Sequence, residues 1–172
     1  MKKLLAFLMA AFCVGAYADS SFTYVDGVQK SQVTGSVSHV QFIIVKTDIN
    51  DKFAIDYLGS PRSSETNSLT MRQEVGLTYS QKVFGNMSFY TRGAYGLKQV
   101  SGTSSYAYYN IEPGVIVPLT EKISAKVGYY YRDAVPDGKT DQVNQARYSL
   151  SYSLTPKDKI SLAYFHDMKG NV

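Results

Sequence analysis

The stretch Gln145-Ala146-Arg147-Tyr148-Ser149-Leu150-Ser151-Tyr152-Ser153-Leu154 alternates without a break. Ala146, Tyr148, Leu150, Tyr152 and Leu154 fall on one side, and Gln145, Arg147, Ser149, Ser151 and Ser153 on the other. A period of two is the pattern of a β-strand with one apolar and one polar face. Working back along the chain, Ile123 to Arg132 repeats it, with Ile123, Ala125, Val127, Tyr129 and Tyr131 opposite Ser124, Lys126, Gly128, Tyr130 and Arg132. Tyr109, Ile111, Pro113, Val115 and Val117 oppose Tyr108, Asn110, Glu112 and Gly114. Met87, Phe89, Tyr95 and Leu97 oppose Ser88, Tyr90, Arg92 and Lys98. Met71, Val75, Leu77 and Tyr79 oppose Arg72, Glu74, Gly76, Thr78 and Ser80, and Phe53, Ile55 and Tyr57 oppose Ala54 and Asp56. The apolar run Phe42 to Val45 has no assignable faces, and residues 20 to 28 form the weakest segment.

The connectors alternate in kind. Asn50-Asp51-Lys52, Phe84-Gly85-Asn86, Thr120-Glu121-Lys122 and Thr155-Pro156-Lys157-Asp158 read as tight turns. Residues 27 to 35, 59 to 68, 100 to 105 and 135 to 144 read as longer loops. Segments of about ten residues, joined by short turns on one side and longer loops on the other, are the pattern of an outer-membrane barrel. The predicted fold is therefore all-β, an antiparallel transmembrane β-barrel. Nine strands are counted, the last from Lys159 to about Met168. Bacterial single-chain barrels have even numbers. Either residues 20 to 28 are not a strand and eight close the barrel, or further strands follow and the total is ten to twelve. The second is the expectation, because an unpaired edge in lipid leaves backbone groups unsatisfied at several kcal/mol each.

The start of the chain points to the same compartment. Lys2 and Lys3 precede an apolar run from Leu4 to Val14, and Ala16-Tyr17-Ala18 presents small residues for cleavage. Residues 1–18 are expected to be an export signal, leaving 19–172 as one barrel domain in the cell outer membrane. The run is shorter than the roughly 20 residues a membrane-spanning helix takes. Removing Lys2 and Lys3 leaves sixteen basic residues against fourteen acidic ones, a surplus too small to argue for nucleic acid as a partner. The one cysteine, Cys13, lies in the signal, which excludes disulfides, thiolate metal sites and a cysteine nucleophile in the remainder. Fifteen Tyr, eight Phe and no Trp, with a slightly negative mean hydropathy, are too polar for a helical membrane protein.

A soluble sandwich also alternates, but its polar face meets water and carries many Lys and Glu. Here that face is rich in Ser, Gly, Asn and Tyr, with isolated charges, and aromatic residues gather towards strand ends. With the apolar face turned to lipid, Asp56, Arg72, Glu74, Arg92, Lys98, Glu112, Lys126, Arg132 and Arg147 line the interior, six basic and three acidic. Tyr90, Tyr108 and Tyr130 point inward with them. Two uses follow. Rings of Arg and Lys favour anions in a pore, whereas an eight-stranded barrel is narrow enough for the same charges to pair as a plug. An aromatic face beside a guanidinium also suits an acidic sugar, although the tyrosines equally fill space.

An enzyme is not expected. His39 and His166 are far apart, Asp167 has no Ser nearby in sequence, and no nucleophile, base and orienting group come together. No cofactor or metal motif is present. The external loops carry both charge signs and no large apolar patch, so nothing in them argues for adhesion.

Ser101-Gly102-Thr103-Ser104-Ser105 followed by Tyr108 and Pro113, Tyr129-Tyr130-Tyr131-Arg132, Asp141-Gln142-Val143-Asn144 and the Tyr-rich final strands carry a further signal. Over about residues 86 to 169 the chain resembles the oligogalacturonate-specific porin family, small monomeric barrels that admit acidic oligosaccharides. The resemblance implies a twelve-stranded barrel with a basic lumen, in which Arg92, Lys126, Arg132 and Arg147 are pore-lining cations. The sequence departs from that pattern by ending about three strands sooner. The partners implied are outer-membrane lipid, the barrel assembly machinery, and small anionic solutes or acidic oligosaccharides.

Overall fold

Two of the tight connectors are closed by their own side chains. Asn50 Oδ1 accepts from the backbone N–H groups of Lys52 and Phe53, both at 2.9 Å. Thr120 Oγ1 does the same for Lys122 and Ile123 at 3.2 and 3.0 Å. Such local acceptors stabilise a reversal that the strands then continue. At Gly85 the backbone turns left-handed (φ 55°), which only glycine adopts without strain.

These reversals join nine strands in a computed structural model that describes residues 20–30, 37–64, 69–102, 105–135, 141–155 and 159–168. The strands are β1 (Ser20–Lys30), β2 (Val37–Asp48), β3 (Phe53–Ser64), β4 (Leu69–Phe84), β5 (Met87–Val100), β6 (Tyr106–Pro118), β7 (Ile123–Ala134), β8 (Val143–Ser153) and β9 (Lys159–Asp167). Each pairs antiparallel with the next, and the nine form one sheet in chain order. The sheet curls into a half-barrel with no helix among the described residues. Among those residues β1 and β9 each have a single neighbour.

Two expectations need correction. Residues 20 to 28, the weakest segment, lie in β1, which pairs with β2 along eleven rungs from Ser20 to Lys30, so the eight-stranded reading does not hold. Alternation is poor there because β1 is an edge whose two faces are both exposed. The loop expected over 59–68 gives way to strand as far as Ser64. Gly59-Ser60-Pro61 signals a turn, yet the β2–β3 ladder skips the rungs at Gln41 and Phe42, beside Pro61, where a missing N–H costs least. Pro113 sits beside a similar skip between β6 and β7. The described strands form an open half-barrel. The expected signal over residues 1–18 lies outside the described residues.

Burial is inverted relative to a water-soluble sheet. The concave face holds the buried residues Asp56, Glu74, Asn110, Glu112, Arg132 and Gln145 with Tyr90, Tyr108 and Tyr130. The convex face presents Leu77, Tyr95, Ile111, Val127, Leu150 and Leu162 to the outside. The run Phe42 to Val45 is resolved by pairing. Ile44 opposes Leu58, two residues on from Asp56, and so faces inward with Phe42, while Ile43 and Val45 face outward.

Candidate functional site: a charge and tyrosine network on the concave wall

Strand pairing places the side chains in rows. Thr78, Arg92 and Glu112 lie directly opposite one another across β4, β5 and β6. Arg72 lies opposite Lys98, and Lys126 opposite Ser149. Because directly paired residues share a face, Arg72, Glu74, Arg92, Lys98, Glu112, Lys126, Arg132 and Arg147 all stand on the concave wall.

Arg92 is the hub. Its Nε reaches both Asp56 carboxylate oxygens at 3.0 and 3.1 Å, and its Nη2 reaches Oδ1 at 2.5 Å. Its Nη1 donates to Glu74 Oε2 at 3.2 Å and to Asn110 Oδ1 at 3.1 Å. Glu74, 2% exposed, also accepts from Arg72 and from the Tyr108 hydroxyl at 2.8 Å. A second cluster centres on Glu112, which pairs with Lys126 at 2.9 Å and Arg147 at 2.7 Å and accepts from the Tyr90 hydroxyl at 2.8 Å. A third is built from Asp141, whose Oδ1 accepts from Lys98 Nζ and Arg132 Nη2, both at 2.8 Å.

Tyrosines join these clusters. The Arg147 guanidinium lies 3.5 Å from the Tyr130 ring centroid, and Arg72 Nη2 donates to the Tyr130 hydroxyl at 3.4 Å. Arg72 and Arg132 each lie 5.4 Å from the Tyr108 ring centroid, and Lys126 lies 4.2 Å from that of Tyr90. A cation against a ring face is attracted by its quadrupole, more strongly where water is excluded. The rings lie flat because glycine leaves them room. A Cβ on Gly96 would stand 2.6 Å from Tyr108 Cζ, and one on Gly114 2.5 Å from the Tyr90 hydroxyl.

The network thus holds six cations against four carboxylates, a surplus of two positive charges. Each of the six is ion-paired, and Lys126 stays 41% exposed. Three buried atoms have no hydrogen-bond partner among the described residues: Asn110 Nδ2, Arg132 Nε and Asp141 Oδ2.

Sequence reasoning passed over Asp141, which was placed in a loop and is buried against two cations. It also passed over Arg62, assigned to a loop and now on the concave face of β3. Asn110 and Gln145 stood on the polar face without a role. Gln145 accepts from Arg147 at 3.0 Å and donates to Asp167 at 2.7 Å. Their period-two phase relative to Arg92 and Arg147 was the available signal. Among the described residues no three His, Cys, Asp or Glu side chains gather as a metal site.

No protein-family model, no curated protein and no solved structure matches the chain.

Proposed function

We propose that the chain forms part of the wall of an outer-membrane β-barrel with a basic lumen that admits small anionic solutes. The observation that carries this reading is the inverted burial: charged and tyrosine side chains are buried on the concave wall, and aliphatic and aromatic ones are exposed on the convex wall. A sheet presenting apolar residues outward has its favourable environment in hydrocarbon, where the backbone is satisfied by strand pairing. Tyr109–Tyr131 and Tyr148–Tyr164 pairs on that face, with ring centroids 6.0 and 6.3 Å apart, suit a membrane interface. The surplus of two cations over the carboxylates supports attraction of anions, because lining charge sets the sign a pore favours. Acidic oligosaccharides, the class implied by the family resemblance, fit cations laid beside ring faces.

One observation favours a second reading. Every network cation is paired, so the same residues also suit a closed barrel with an ion-paired interior and no transport. Conductance of the refolded protein in a planar bilayer separates the two. Steady anion-selective openings support the lumen, and a folded, silent barrel supports the plug. Reversing Arg92, Lys126, Arg132 and Arg147 together turns the preference towards cations in the first case and mainly weakens folding in the second.

A further inference from the structure

One sector of the concave wall does not share the network's chemistry. Val40, Phe42 and Ile44 of β2 point inward with Leu58 of β3 and Val25 of β1, as their pairing shows: Val25 opposes Phe42, and Ile44 opposes Leu58. The convex side of the same hairpin mixes Phe22, Ile43 and Val45 with polar groups. His39 Nε2 pairs with Asp26 Oδ1 at 2.7 Å, and Gln41 Nε2 donates to the Tyr24 hydroxyl at 3.2 Å. Apolar residues therefore stand on both faces of this hairpin, whereas the concave face elsewhere is charged and tyrosine-rich. The row from Val40 to Ile44 is about 13 Å long at the rise of a strand.

A cation without a carboxylate in ion-pair distance among the described residues, Arg62, stands at one end of this row. Arg62 lies directly opposite Val40, and its Nη2 reaches Ser38 Oγ at 3.0 Å. Arg72, Arg132 and the carboxylate of Asp167 are within its electrostatic reach. Arg132 is 7% exposed, and its Nε is one of the buried donors lacking a partner. Buried donors and cations left this way are satisfied at low cost by an anion.

We infer that this sector is a binding site for a single-chain anionic amphiphile, its carboxylate held by Arg62 and Arg132 and its alkyl chain laid along Val40, Phe42 and Ile44. The inference rests on the lumen reading above and names a ligand for its apolar side. Charge complementarity selects the head group, since Arg62 stands opposite Val40 at the end of the apolar row, and the Arg132 Nε is a buried donor without a partner among the described residues. The row selects the tail, because methylenes withdrawn from water onto an apolar surface are stabilised in proportion to the area covered. A fully hydrophilic anion leaves that surface unused.

The test uses the full chain refolded into vesicles, a dodecanoate carrying a diazirine near its tail end, and peptide mapping of the photoproducts. Neighbours on β2 report opposite faces. Labelling of Val40, Phe42 or Ile44, competed by excess dodecanoate and not by acetate, is the expected result. Arg62→Gln should weaken that competition by about tenfold, the worth of a charge-assisted hydrogen bond, while Arg62→Lys retains most of it. Labelling of Ile43 and Val45, the outward pair, should be the same in all three proteins. Label confined to Ile43 and Val45, or inner label indifferent to Arg62→Gln in a folded protein, overturns the site. Conductance measured on the same preparation separates the two failures. Anion-selective current without inner label refutes the amphiphile alone, whereas a folded, silent barrel without inner label refutes the lumen as well.

Discussion

Tyr108 lies directly across β5 and β6 from Gly96, and its ring fills the space a side chain on Gly96 would take. The arrangement lets the hydroxyl reach Glu74 at 2.8 Å while the ring remains 0% exposed. Gly96→Ala places a methyl 2.6 Å from Tyr108 Cζ and 2.7 Å from the Gln73 carbonyl oxygen, which is backbone and does not yield easily. The expected cost is about 1–3 kcal/mol, as for overpacked cores. Gly93→Ala, with nothing within 4 Å, should be near neutral or slightly stabilising. Urea titration of the two refolded variants checks the contrast.

Arg92 neutralises two buried carboxylates, Asp56 and Glu74, at once. Replacing it by Met leaves both without their shared partner, and breaking a buried pair this way costs about 3–5 kcal/mol. The double change Arg92→Met with Asp56→Leu should recover part of that loss, since it removes one stranded charge. A double-mutant cycle on unfolding free energy measures the coupling.

Leu150 and Ser151 are neighbours on β8 facing opposite ways, with Ser151 bonded to Ser161 at 2.8 Å on the concave side. If the convex face meets hydrocarbon, Leu150→Arg should cost about 2–4 kcal/mol near mid-depth. Ser151→Arg should cost far less. Equal tolerance of both in vesicle refolding contradicts the membrane reading.

Asp141 holds Lys98 and Arg132 through one oxygen. Asp141→Asn removes a negative charge and leaves both cations, so anion preference in the bilayer should rise by about fivefold, the effect of one unit charge in a water-like medium at contact distance. A fall in anion preference, or no change with folding intact, places the ion path away from this pair.

The rows of side chains were legible because they need only local information. A period of two along Gln145–Leu154 or Ile123–Arg132 separates the faces whatever the strand neighbours are, so Tyr90, Tyr108 and Tyr130 could be put beside the charges. The bonds among them were not legible. Arg92 and Asp56 are 36 residues apart and meet across β3, β4 and β5, a contact set by the stagger of two ladders. Asp141 reaches its cations from a connector, and connectors have no period to read. The faces of Phe42 to Val45 stayed open because every residue in the run is apolar, and a pattern without contrast carries no phase.

By itself the sequence determined that the chain is a succession of antiparallel strands with one polar and one apolar face, since backbone geometry turns period two into sidedness. Only the tertiary structure decided which cation meets which carboxylate, and that β2 turns Val40, Phe42 and Ile44 inward. The physical reason is that sidedness is a property of one strand. Burial and pairing depend on curvature and register, which arise only when nine strands share one sheet.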